Sequence, residues 1–365
     1  INDHDFALGY VLDHYGSLLP SYAALPKHEQ ASIRFTQSKI GFNHGWLVQG
    51  EAPPGALFSK FKSVLQSENA PPTDVAFYFV HWLTDLAGAE PTPLRGSQKF
   101  VQRFPHAVLA SFIDSFSVVN KLAVESETSI FEQYLVQRWG EVLKLGPAPE
   151  GENSIALMRL STQVQSLPLQ LSLPTAFTHL PAEDLRVLCD EMAMTGIEGQ
   201  AYRRYVPPPG GPAFLVYYAP AFLRTNTAAE DRTLPNLVTK LRMLAEVYRQ
   251  ARNLWPLSTS AADYRSVTLR IDVIKDATIE SINDSYSWGE VYVLQKSNEN
   301  EGRVDKQPLY TLAAPPGDSS ERALLAFWRQ EDIQVQIDDE TLVELEQANN
   351  LLLSNSKKAS ITVSC

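Results

Sequence analysis

Apolar residues recur at helical spacing through the first 144 residues, with little strand-like alternation, until Gly146-Pro147-Ala148-Pro149-Glu150-Gly151-Glu152-Asn153 interrupts the pattern. A period near 3.6 buries one stripe of a helix, whereas a period of two buries one face of a strand, so the pattern decides which architecture a segment can join. The spacing predicts helices over 27–50, 55–67, 73–88, 97–123 and 127–144. Proline removes an amide donor and glycine relaxes the backbone, so a stretch rich in both punctuates a chain. Residues 1–148 are therefore expected to form an all-helical domain, and residues 149–365 a second domain.

The period changes in the second half. Helices are expected at 181–195 and 234–254, the first opened by Pro181 with Glu183 and Asp184 in its first turn, where proline and acidic side chains suit a helix start. Val267, Leu269, Ile271 and Val273 then alternate with Thr268, Arg270 and Asp272, which predicts a strand with one buried face. Shorter alternations follow at Val291 to Leu294, at Ile333, Val335 and Ile337, and at Ile361 and Val363. The expected fold class is α+β overall: an all-α N-terminal helical domain followed by an α+β domain with a mostly antiparallel sheet. A length of 365 residues, 44% of them hydrophobic and 20% charged, suits a soluble two-domain protein.

Charge and motifs narrow the function classes. A net charge of −11 without any cluster of Lys and Arg argues against a grip on nucleic acid. The apolar run Ala213 to Leu223 is interrupted by Pro220 and is about half the ~20 residues a bilayer span needs. Cys189 and Cys365 are the only cysteines and sit in no CxxC or Cys/His cluster, which leaves no disulfide framework or structural zinc site to expect. The opening Ile1-Asn2-Asp3-His4 lacks the pattern of a signal peptide, so the chain reads as a piece of a larger cytoplasmic protein. No nucleotide cofactor motif or serine-hydrolase elbow occurs, and Gly210-Gly211 between prolines reads as a turn.

One segment stands apart. Residues 73–88 form a helix in which Phe77, Phe79, Val80, Trp82, Leu83, Leu86 and Ala87 take most of the circumference, while His81, Thr84 and Asp85 share an arc of about 100°. A buried imidazole and carboxylate need partners. In the helix over 27–50, Ile33, Ile40 and Leu47 form an apolar line with Gln37, His44 and Glu51 beside it. Side by side, the two helices can bring His44, His81 and Asp85 together as nitrogen and oxygen ligands of a divalent metal ion, as helical bundles do. The plainer alternative is a hydrogen-bonded His81–Asp85 pair that serves only the fold.

The helix ends at Ala87-Gly88-Ala89-Glu90-Pro91, and Leu94-Arg95-Gly96-Ser97-Gln98-Lys99 opens the next, with Ser97 as N-cap. Free amides there, with Arg95 and Lys99, suit an anion. Along the following helix Val101, Phe104, Leu109, Phe112, Phe116 and Val119 make the buried stripe, which leaves Asp114 in solvent and His106 at the rim. The function expected from these residues is a metal-dependent hydrolase of a phosphorylated or anionic small molecule. In it His44, His81 and Asp85 hold the metal, Glu51 or Glu90 is the catalytic base, and Arg95, Ser97 and Lys99 bind substrate. The alternative is a non-catalytic ligand- or protein-binding regulatory module of a larger cytosolic protein, partnered by a small anionic molecule or a protein.

Overall fold

A computed structural model describes residues 4–37, 40, 42–67, 70–88, 106–224, 233–258, 266–271, 278–279, 282, 292–297, 309–312 and 323–326. Helices come first: α1 (His4–Tyr15), α2 (Pro20–Ala23), α3 (Lys27–Thr36), α4 (His44–Val48), α5 (Pro54–Ser67), α6 (Pro72–Gly88), α7 (His106–Val119) and α8 (Glu127–Gly140). Then follow α9 (Ser154–Val164), α10 (Leu167–Thr178), α11 (Ala182–Ala193), β1 (Ala213–Tyr217), α12 (Ala219–Leu223), α13 (Thr233–Leu254) and β2 (Ser266–Arg270). Three short strands complete the order: β3 (Tyr292–Ser297), β4 (Leu309–Leu312) and β5 (Ala323–Ala326). Two compact units divide these residues, one made of Ile1–Val48 with Leu57–Tyr134 and the other of Gln49–Ala56 with Leu135–Cys365.

In the first unit the core is aromatic. Phe42, Phe58, Phe61, Tyr78, Phe79, Phe112, Phe131 and Tyr134 are all buried, and Phe79 stacks on Phe112 at 4.7 Å between ring centres, which joins α6 to α7. Helix α3 lies against α6, where the Ser32 hydroxyl donates to Asp74 Oδ1 at 2.8 Å.

The second unit is built around α9, all eleven residues of which are buried. Helices α10, α11 and α12 pack on α9, and α13 packs on α10, α11 and α12 in turn. Along α13 Leu237, Leu241, Leu244, Tyr248 and Ala251 recur three or four residues apart and are all buried, as a helix with one core stripe requires. Gly210 and Gly211 both have positive φ, 90° and 68°, and a side chain on either would collide with Leu257 O or Arg252 Nη1. That pair is a turn packed tightly against the end of α13, and only glycine fits it.

The chain is mostly helical, which corrects the expected α+β fold with a mostly antiparallel sheet. Strands β1 and β2 form a two-stranded parallel pair, with Phe214 opposite Val267 and Val216 opposite Leu269. The short strands extend it in the order β1-β2-β4-β3-β5, with β4 parallel to β2 and β3 antiparallel to β4 and β5. The reason is topological: parallel neighbours need a crossover, and α13 supplies one between β1 and β2. Burial agrees, since Ala213, Phe214, Leu215 and Val216 are consecutive and buried, as in a strand covered on both faces. Strand β2 is covered likewise, because Thr268 and Ser266 are buried along with Val267 and Leu269, so the single buried face read from its alternation is also corrected. The alternations at 333–337 and 361–363 lie outside the described residues.

Covering on both faces makes a definite prediction. Thr268→Lys, which a one-faced strand would tolerate on its solvent side, should lower the unfolding free energy by at least about 2 kcal/mol in urea titration. Unchanged stability would show that this face of β2 is open to water.

Candidate functional site

Of the residues assigned to metal, catalysis and substrate in the sequence, His44, Glu51 and His81 have described side chains. The expected helix over 27–50 is interrupted: α3 ends at Thr36, Gln37 takes extended backbone with φ −98° and ψ 131°, and α4 starts afresh at His44. The restart has a local cause, because Trp46 donates its amide to Asn43 Oδ1 at 3.1 Å, a side-chain cap on the first turn. Ile33, Ile40 and Leu47 therefore do not form one helical line, and Gln37, His44 and Glu51 do not share a strip beside it.

His44 is 1% exposed. Its imidazole meets Trp82 at 4.2 Å between ring centres, Phe42 and Phe112 at 4.5 Å, and Tyr78 and Phe79 at 5.5 Å. Neither ring nitrogen has a hydrogen-bond partner. The pairs with Phe42, Phe79 and Phe112 are edge-to-face, an arrangement in which a ring N–H can rest on a π cloud. Burial alone pushes the imidazole well below its usual pKa of 6.5, so the ring is neutral.

The polar arc of α6 is only partly enclosed. Thr84 is exposed, His81 is half-buried, and Phe77 and Val80 stand 40% and 54% exposed, so α6 is not buried around its circumference as the sequence suggested. His81 Nε2 lies 3.4 Å from Gln37 Nε2, and Gln37 is itself buried with Oε1 unpartnered. Asp85 belongs to α6, but its side chain lies outside the described residues, as do Glu90, Arg95, Ser97 and Lys99. Among the described residues no group of three or more His, Cys, Asp or Glu is placed to hold a metal ion.

Glu51 belongs to the second unit. It is 3% exposed, and its Oε1 accepts the Tyr218 amide at 3.0 Å while Oε2 has no partner. Tyr218 follows the end of β1 in the left-handed region, at φ 77°, a conformation uncommon for a bulky residue. Desolvation drives the carboxyl up from 4.5 to about 8, against the opposing pull of the Tyr218 amide and the Arg159 charge. Glu51 is thus mostly protonated at neutral pH.

Sequence reading overlooked Arg159. It is fully buried on α9, and its guanidinium donates to Gly50 O at 3.1 Å, Glu51 O at 2.7 Å and Met192 O at 2.7 Å. The available signal was one cation inside the apolar run Ser154-Ile155-Ala156-Leu157-Met158-Arg159-Leu160, since a lone charge on a core helix must find buried acceptors. Cys189 offers no nucleophile, because burial and the neighbouring Asp190 and Glu152 charges push its thiol up to about 12.

A protein-family model matches residues 2–280, and the chain belongs to that family, described as a family of unknown function (DUF6829). The matched span includes both the ring cage of His44 and the seat of Glu51. No curated protein and no solved structure matches the chain.

The neutral His44 carries a pH signature. Its folded pKa lies below the unfolded value, so the folded state binds fewer protons once the pH falls under about 6.5. Stability present above that pH is then lost progressively on acidification. The advantage of His44→Leu over the parent should grow by up to about 1.4 kcal/mol per pH unit below 6.5, measured by urea unfolding from pH 7 to 5. A constant difference would mean that the ring is protonated in place.

Proposed function

We propose that the protein is a non-catalytic binding module whose first unit docks a protein partner. The observation that carries this reading is the exposure of large apolar side chains on two packed helices, Phe77 and Val80 one turn apart on α6 and Ile113, 51% exposed, on α7. Each such side chain gains about 1.5–3 kcal/mol when water is removed from it, and large exposed apolar groups mark interaction surfaces when they cluster. An amphipathic helix with basic flanks suits that surface and the net charge of −11. Three described groups that could serve chemistry support the same reading from the other side, because His44, Glu51 and Cys189 are packed into the interior. No described helix is long and apolar enough to cross a membrane.

The test compares two proteins. The full chain and its Phe77→Glu/Val80→Glu variant should give the same circular dichroism, and quantitative affinity purification should show a protein retained by the parent and lost by the variant. Identical retained sets from the two would sink the reading.

A second reading, the metal-dependent hydrolase expected from the sequence, is favoured by one observation. Both ring nitrogens of His44 and Oε1 of Gln37 are buried without partners, a deficit that a bound ion or water settles. On this reading His44, His81 and Asp85 hold the metal, Glu90 is the base, and Arg95, Ser97 and Lys99 receive an anionic substrate. The purified chain should then carry about one divalent ion per molecule and lose it in His81→Ala. Substoichiometric metal, unchanged by that substitution, removes this reading.

A further inference from the structure

Residues 49–56 are seated in the second unit through bonds to their backbone and to one side chain. Gly50 O accepts from Arg159 Nε and from Gln163 Nε2, both at 3.1 Å, and Glu51 O accepts from Arg159 Nη2 at 2.7 Å. Gly55 donates its amide to Thr195 O at 2.9 Å. Glycine is required near both ends. Gly50 has φ +62°, and a Cβ there would stand 3.2 Å from Arg159 O, while a Cβ on Gly55 would stand 2.7 Å from Gly196 O. Between them Glu51, Ala52, Pro53 and Pro54 are buried. The one ionisable side chain of the segment is Glu51, held by the Tyr218 amide at Oε1 and unpartnered at Oε2.

We propose that residues 49–56 form a strap that stays seated while the Glu51 carboxyl is uncharged and lifts locally when it ionises, which makes the seat a proton-controlled latch. An uncharged carboxyl satisfies the Tyr218 amide and leaves a modest deficit at Oε2. An ionised one places a full charge in the interior with a single hydrogen bond. The charged and titratable groups around it do not offset that cost. From α9 comes Arg159, whose guanidinium already serves three carbonyls. Tyr248 of α13 is buried, with its phenol pushed up to about 12 mainly by desolvation and in part by the Glu51 charge. Glu191 of α11 also acts on Tyr248 and is ion-paired with Arg252 Nη2 at 2.5 Å. Tyr218, after β1, contributes its amide.

The sign follows from the folded and free values. Seated, the carboxyl binds its proton up to about pH 8, and its ordinary value is 4.5. Between those limits the seated state holds more protons than the lifted one, so each rise of one pH unit favours lifting by up to tenfold, and the effect levels off above pH 8.

Amide hydrogen exchange on the full chain, corrected for the intrinsic pH dependence of exchange, tests this. From pH 6 to pH 8 the protection of the Gly55 and Tyr218 amides should fall by about 50-fold, with at most about a further twofold fall to pH 9. Peptides from α9 should keep theirs, and Glu51→Gln, which resembles the uncharged carboxyl, should hold its protection across the range. Constant parental protection from pH 6 to 9 overturns the proposal, and so does a parallel loss in α9, which would mean global unfolding. A Glu51→Gln protein that follows the parent overturns it too. Should Glu51→Gln fail to fold, the parental profile and the α9 comparison decide by themselves.

Discussion

The guanidinium of Arg159 is the interaction on which the second unit depends. It is fully buried, and its bonds run to the backbone carbonyls of Gly50, Glu51 and Met192. Hydrogen bonds from a charged donor contribute about 1.5–3 kcal/mol each, and a buried carbonyl left without its donor costs a comparable amount. One side chain on α9 thereby ties together a segment 108 residues earlier in the chain and the end of α11, 33 residues later. Once Gly50 and Glu51 are fixed in this way, the Glu51 carboxyl has nowhere to point except the interior, beside the amide of Tyr218. Desolvation there raises the Glu51 pKa, against the pull of the Arg159 charge.

The first unit rests on a different constraint. Its core is a cluster of aromatic rings, and His44 fills a ring-shaped place among five of them. Both buried groups pass their unfavourable solvation into pH dependence, in opposite directions. His44 must stay neutral, so acid works against its unit, whereas Glu51 must keep its proton, so base works against its own. In both cases desolvation by burial is the leading cause.

Legibility differed from element to element. Helix α6 could be read because apolar residues surround Tyr78 and Phe79 at helical spacing, and α13 because its stripe recurs every three or four residues. Strand β1 could not, since Ala213 to Val216 are uniformly apolar, and a short apolar run looks the same in a buried strand and in a buried helix. The pairing direction of the sheet was hidden for a related reason: the alternation in β2 reports which residues face which way, and carries no information about which strand lies alongside. In the candidate site, the polar arc of α6 was visible, but the restart of the helix at His44 depends on Asn43 turning its side chain to the Trp46 amide. A seven-residue spacing alone cannot distinguish that from a continuous helix.

By itself the sequence determined the local facts: a run of helices through the first 144 residues, a long amphipathic helix near 234–254, no motif for a nucleotide cofactor, and too short an apolar run at 213–223 to span a bilayer. These follow from periodicity and composition, which act between near neighbours. Only the tertiary structure decided that β1 and β2 run parallel, that His44 sits among rings without a polar partner, and that Glu51 belongs with Arg159 and Tyr218. Each of these depends on residues far apart in the chain being brought within a few ångströms. The desolvation and hydrogen bonding that set their chemistry arise only from that packing.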